Sequence, residues 1–284
     1  MSWLDTSIIK IIVAIIAIFA VLLAVGFYQN SDTVPTNWNY NQMTLFNHSE
    51  NNFTFTYSGD DHVDKGNFSR IINNINSNYP NLLFNINGGD LMSDSILMSN
   101  FKKDYLVPGR VAHFNKPVMF VMGNHELIDD PTASKYTFLF GSPTYYNFSE
   151  NNSYFIIIDD ASRKSLNSTQ LTWLNEQLNL SQKYKYRFVF MHVPLYTPAG
   201  ETERSMETEG PGGADALQNL FDSYNVTMIF ASHIHGYFTG VWGKTPYIIS
   251  GGAEDPEDKN NSSNNQYVLV NVTNKFVTYT KVNY

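Results

Sequence analysis

Five short apolar runs in this chain stop at turns that carry imidazoles, carboxylates or a carboxamide, and that arrangement narrows the folds open to it. The run from Pro117 to Met122 delivers Gly123-Asn124-His125-Glu126. Short apolar runs with β-branched members read as buried strands. Asn52 to Tyr57 alternates Phe53, Phe55 and Tyr57 and ends in Ser58-Gly59-Asp60-Asp61-His62; Leu82 to Asn87 leads to Gly88-Gly89-Asp90. Tyr186 to Met191 ends at His192 before Pro194, and Thr227 to Ala231 opens into Ser232-His233-Ile234-His235-Gly236. Between the runs lie helical patterns: Gly66 to Tyr79, Gln170 to Leu180 behind the capping candidates Asn167 and Ser168, and Ala214 to Tyr224. Tyr154 to Asp159 reads as a further strand, and Tyr247 to Ser250, Tyr267 to Asn271 and Phe276 to Val282 as closing ones. The pattern predicts an α/β domain whose functional residues sit beyond the carboxyl ends of its strands.

Each turn has its own chemistry. Asp60 and His62, two apart, can converge on one cation, although such a pair also caps helices or solvates loops. Two glycines let the backbone before Asp90 approach a ligand closely and free that carboxylate to bridge. Asp94 reads as a cap for the segment from Ser95 to Val111. Asn124 offers a neutral hard ligand, and His125 beside it is left to face a substrate. A lone His192 fits a core histidine as well as a ligand, whereas His233 and His235 read as a ligand pair. Asp159 and Asp160 have no histidine with them and read as structural. The aromatic turn Phe140 to Tyr146 is a pocket wall or plain packing. The loop Tyr196 to Ala214, with Glu201, Glu203, Glu207 and Glu209, is either a lid or a solvated acidic loop.

Composition adds exclusions. With 284 residues, 43% hydrophobic and 15% charged, the chain can bury a full core. It has no cysteine, which removes disulfides and thiolate metal sites, and its net charge of −8 leaves no nucleic-acid footprint.

The amino-terminal stretch is apolar from Ile8 to Tyr28 apart from Lys10. It is long enough to approach a membrane span and longer than the core of a signal peptide. It reads as a transmembrane anchor over 1–29, with a cleaved signal as the alternative; Lys10 places its amino end in the cytoplasm. A polar linker over 30–50 and a catalytic domain over 51–284 would then lie outside the cytoplasm, secreted if the leader is cleaved. Asn-X-Ser/Thr triplets at Asn47, Asn52, Asn67, Asn147, Asn151, Asn167, Asn179, Asn225, Asn260, Asn261 and Asn271 agree with a glycosylated exterior or with asparagine-rich composition.

In order along the chain, Asp-X-His, Gly-Asp, Gly-Asn-His-Glu, a single His and Ser-His-X-His resemble the calcineurin-like metallophosphoesterase family over about residues 52 to 253. Ser232 stands where that family usually has glycine. Met191 to Tyr196 and Ser250-Gly251-Gly252 look like its phosphodiesterase and purple acid phosphatase branch, yet Leu91, Met92 and Ser93 stand where the iron-binding tyrosine would be. The resemblance implies an αββα sandwich of two mixed sheets flanked by helices. It implies that Asp60, His62 and His235 bind one metal ion and Asn124, His192 and His233 another, with Asp90 bridging. Manganese, iron and zinc all suit imidazole and oxygen ligands. The implied function is phosphomonoester or phosphodiester hydrolysis by a metal-bridging hydroxide. His125 would stabilise or protonate the reacting group, with Glu126 orienting it. The alternatives are a non-catalytic extracellular binding protein on the same fold and a phosphodiesterase for membrane-lipid head groups.

Overall fold

A computed structural model describes residues 37–46, 52–62, 67–91, 105–106, 112–128, 130–198, 205–251 and 265–284. The apolar leader, the segment from Ser95 to 104 and Glu201 and Glu203 lie outside them. Among the described residues no helix is long and apolar enough to cross a membrane. The chain opens with α1 (Trp38–Met43), followed by β1 (Phe53–Ser58), α2 (Asn67–Asn78), β2 (Phe84–Asn87) and β3 (Val118–Phe120). Two short helices, α3 (His125–Ile128) and α4 (Ser134–Phe140), precede β4 (Tyr146–Glu150) and β5 (Ser153–Ile157). Then come α5 (Ser168–Leu180), β6 (Tyr186–Phe190), α6 (Ala214–Ser223), β7 (Met228–Ala231), β8 (Tyr237–Trp242), β9 (Thr245–Ser250), β10 (Gln266–Val272) and β11 (Val277–Asn283).

The strands form two mixed sheets, β11-β10-β1-β2-β3 and β4-β5-β6-β7-β9-β8. Alternation in β1 sends Phe53, Phe55 and Tyr57 to one face, where Phe55 meets Phe155, Phe188 and Phe230 of the other sheet at 5.7, 5.9 and 5.8 Å between ring centres. This aromatic layer, completed by Phe84, Ile86, Phe190 and Ile248, is the core between the sheets. Truncating a phenylalanine as buried as Phe55 costs about 3–5 kcal/mol. On the outer face of the second sheet, Leu174 and Leu178 of α5 and Leu217 and Phe221 of α6 pack on Ile156, Val189 and Ile229. Asn167 caps α5, its side-chain oxygen accepting from the Gln170 amide at 2.9 Å. Helix α2 buries Phe68, Ile71, Ile72 and Ile75, and Asn74 accepts a hydrogen bond from Tyr267 of β10 at 2.7 Å. Two mixed sheets with flanking helices are thus the architecture.

Two observations add to the sequence reading. Trp38–Met43, within the stretch read as a linker, is a helix belonging to the same compact unit as the rest of 35–284. Its side chains take the place of a neighbouring strand along β3. The Val118 amide donates to Gln42 Oε1 (3.2 Å) and the Phe120 amide to Asn39 Oδ1 (2.9 Å). Trp38 Nε1 in turn donates to the Val118 carbonyl (2.9 Å) and Asn39 Nδ2 to that of Phe120 (3.3 Å). The second is that the aromatic turn at Phe140 to Tyr146 joins α4 to the edge strand β4, two elements the sequence reading did not mark.

Candidate metal centre

β1, β2 and β3 lie parallel and adjacent in one sheet, as do β6 and β7 in the other. The loops beyond their carboxyl ends are laced together by backbone bonds. The Gly88 amide donates to Ser58 O (2.6 Å), Asp60 to Gly89 O (3.0 Å) and His62 to Asp90 O (3.3 Å). Asp60, His62, Asp90 and His233 all take positive φ, at 57, 32, 53 and 67°. Such conformations cost non-glycine residues roughly 1–3 kcal/mol each and persist only where the surroundings impose them. Gly89, at φ 96°, sits so close to its neighbours that a Cβ would lie 2.7 Å from the Gly123 nitrogen and 2.9 Å from His192 Nδ1.

These loops bring the ligand candidates of the sequence into two clusters joined by a third grouping. Asp60, His62 and His235 present ligand atoms within 4.8 Å of one another, and so do Asp90, His192 and His233. His192 Nε2 lies 3.1 Å from Asp90 Oδ2 and 3.0 Å from Asn124 Oδ1, which brings Asn124 to the second cluster. Asp90 also groups with His62 and His125, so it stands between the two. His192 is oriented from behind: its Nδ1 pairs with the Gly88 carbonyl at 2.8 Å, leaving Nε2 to face the cluster. His125 differs from the rest. Its side chain is 28% exposed, against 0% for His192, and its Nε2 is 3.9 Å from Asp90 Oδ2.

The cluster seeks positive charge. Burial pushes the Asp60 carboxyl well above its usual range. Burial would raise Asp90 as well, but His192 and His125 hold it below that range. For His192 burial opposes the charged form, yet Asp90, and behind it Asp60 and Asp160, carry the imidazole up to about 10. Burial and the charge on His192 then push His233 down to about 3, against the pull of Asp90 and with help from Arg163. Of these two imidazoles, His192 is the one whose charged form the neighbouring carboxylates favour.

The side chains fit a pair of metal ions. Asp60 Oδ1 and His233 Nε2 are buried without a hydrogen-bond partner, which is uncommon for buried polar atoms unless something else satisfies them. Imidazole, carboxylate and carboxamide donors without thiolate suit first-row divalent ions.

Three contributors escaped the sequence reading. Asp160, read as structural, accepts from the backbone amides of His192 (2.9 Å) and Val193 (3.0 Å), and so sets the position of a cluster residue. Burial raises its carboxyl to about 7. Asp61, buried and raised likewise to about 7, accepts from Asn87 Nδ2 and from Ser58 Oγ and ties the ends of β1 and β2 together. Arg163, left-handed at φ 62°, lies near enough to His233 to influence its charge. Its carbonyl accepts from the Glu207 amide (3.1 Å), so the described end of the acidic loop is held to its backbone. Glu126 was expected to orient His125. Its carboxylate instead accepts from the backbone amides of Gly123, Asp90 and Leu91.

The model for the calcineurin-like phosphoesterase family matches residues 53–237. The chain is 26% identical over 140 residues to a phosphoenolpyruvate phosphatase of Allium cepa, covering 43% of this chain and 28% of that protein. It is 24% identical over 145 residues to the serine/threonine-protein phosphatase CPPED1 of Rattus norvegicus, covering 47% and 46%. The chain thus spans less than half the length of the curated relatives it matches. Among solved structures, a dimetal phosphatase from Danio rerio aligns with a TM-score of 0.55 at 15% identity, over 81% of this chain and 95% of that one. GAP50, described as the anchor in the inner membrane complex of Plasmodium, aligns with a TM-score of 0.55 at 16% identity, over 82% and 85%. These two share the fold. With a family model matching residues 53–237, well over half of its length, the chain belongs to the calcineurin-like phosphoesterase family.

Proposed function

We propose that the chain is a dinuclear metal-dependent hydrolase of phosphomonoesters or phosphodiesters. The observation that carries this reading is a pair of ligand clusters, Asp60-His62-His235 and Asp90-His192-His233, each drawn from both sheets, with Asp90 also grouped with His62 of the first. Asp60, His62 and His235 would hold one ion, and Asn124, His192 and His233 the other, with Asp90 between. Two divalent ions held there supply Lewis acidity toward the phosphoryl group and a lowered pKa for water.

The chain's own residues supply the rest. His125, half-buried and tied through its backbone amide to Asp90 Oδ1 at 2.8 Å, can hydrogen-bond a phosphoryl oxygen or hand a proton to the leaving oxygen. Arg163, whose positive charge is felt at His233, would favour an anionic substrate. Burial of Asp60, Asp90 and His192 keeps solvent away from the inner side of the cluster.

The apolar run Ile8 to Tyr28 supports a further reading, that the domain is held at a membrane with the site on the extracytoplasmic side. In that setting lipid head-group diesters join the candidate substrates. The non-catalytic alternative would be marked by loss of ligands, and this chain keeps them all.

The test uses the full-length chain, stripped with a chelator and resupplied with manganese, zinc or iron. It is assayed on p-nitrophenyl phosphate and bis(p-nitrophenyl) phosphate beside His192→Ala and Asp90→Asn. Metal-dependent turnover that disappears in both variants is the expected result, and the ratio between the two compounds ranks monoesters against diesters. A chain that takes up no metal would return the question to the binding-protein reading.

A further inference from the structure

We infer that Glu126 is a positioning residue that fixes the bridging aspartate against the Asn124 loop, and thereby sets whether two metal ions can be held as a pair. The inference rests on the metal centre proposed above. Glu126 is 3% exposed and touches no open space from which it could meet substrate. Its Oε2 accepts from the Gly123 amide at 2.7 Å and the Asp90 amide at 3.1 Å, and its Oε1 from the Leu91 amide at 2.8 Å. One carboxylate therefore grips two loops that are 35 residues apart in the chain.

The grip is reciprocal. Asp90 Oδ1 accepts from the His125 amide at 2.8 Å, so each loop holds the other through a carboxylate bound to backbone. The loops also meet too closely for anything but glycine between them. A Cβ on Gly123 would lie 2.2 Å from Asp90 Oδ1, 2.3 Å from the Asp90 nitrogen and 2.9 Å from Glu126 Oε2. In this packing the backbone of Asp90 has one place to be, and its carboxylate is delivered 3.1 Å from His192 Nε2. Charged acceptors of several backbone amides are among the stronger hydrogen-bonding arrangements a fold can make. Residues that orient ligands from behind commonly change metal affinity about 10- to 100-fold when altered.

The substitution Glu126→Gln keeps size and one acceptor oxygen, but turns an NH2 group toward amides that need an acceptor. Manganese is titrated into the metal-free full-length chain, with stoichiometry read by calorimetry and pairing of the ions by the exchange-coupled electron paramagnetic resonance signal. Thermal unfolding is followed alongside. Leu174→Ala, in the core under α5 and away from the ligands, serves as the stability control. The expected result is that Glu126→Gln binds manganese about 10- to 100-fold more weakly and loses most of the coupled signal. Leu174→Ala is expected to lower the unfolding temperature while loading a coupled pair normally. Should Glu126→Gln not accumulate as folded protein, Glu126→Asp, which keeps the charge but is too short to span both loops, is read the same way. A Glu126 variant that loads a coupled pair as the wild type does would overturn the inference alone. A wild type that takes up no manganese would overturn the metal centre and this inference together.

Discussion

Ser232 shows how a single side chain is negotiated among three strands. Its Oγ pairs with the Tyr57 hydroxyl at 2.9 Å and reaches the Ser250 carbonyl at 3.3 Å. It fits only because two neighbours lack a Cβ: one placed on Gly59 would lie 2.0 Å from that oxygen, and one on Gly88 2.2 Å from it. Gly59→Ala should therefore be strongly destabilising in the wild type and much less so in a Ser232→Gly background. The coupling expected between contacting sites is about 0.5–3 kcal/mol, read from a double-mutant cycle in urea; additive effects would contradict the packing described. Ser232→Gly alone should cost about 1 kcal/mol through the lost hydrogen bonds. Arg163 carries a second prediction at this scale. If its charge attracts substrate, Arg163→Ala raises KM for a phosphoester several-fold and leaves kcat nearly unchanged, whereas a fall in kcat at constant KM would assign it to the chemical step.

At the scale of elements, the strands that deliver ligands were legible and the strands that only close a sheet were partly not. β3 and β7 are buried throughout and β6 at all but Arg187, and strands covered on both faces write themselves as apolar runs. β2 is buried as well, though Asn85 and Asn87 alternate with its apolar residues. β4 and β8 lie at the two edges of their sheet. β4 alternates Tyr146 and Phe148 with Asn147 and Ser149 over only five residues, and β8 fully buries Trp242 alone of its six, so neither carries a long apolar run. The caps and helices α2, α5 and α6 were visible in the chain because their apolar positions recur at helical spacing. α1 was not visible. It has six residues, no side-chain N-cap bond and left-handed Asn37 before it, and what fixes it is a set of bonds to a strand about eighty residues away. The role of Glu126 was hidden for the same reason, since a neighbour in sequence had to compete with two distant amides. Asn39→Ala would leave the Phe120 amide without its partner, at a cost of about 1–3 kcal/mol, measurable as a lower urea midpoint. A midpoint unchanged within error would mean that α1 is not docked as described.

For the whole molecule, the candidate centre joins the two layers. Asp60, His62, Asp90 and Asn124 follow strands of the first sheet, and His192, His233 and His235 follow strands of the second. An ion in either cluster would bond to both layers at the edge of the sandwich where the aromatic core ends. Removing metal should then loosen the sheets from each other as well as abolish turnover. Saturating ligand at a hundred times its dissociation constant stabilises a fold by about 2.7 kcal/mol, so chelation should lower the unfolding temperature by several degrees. An unfolding temperature indifferent to chelation and re-addition of manganese would be incompatible with ions that bridge the layers.

The docking of α1 on β3 has a kinetic consequence. The amides of Val118 and Phe120 are shielded by Gln42 and Asn39 and by no neighbouring strand. Their exchange with deuterated solvent is therefore timed by the departure of a six-residue helix. Those two amides form a clock on β3, the strand that presents Asn124 and His125, and a change at the amino-terminal helix would be recorded there before it reached the ligands.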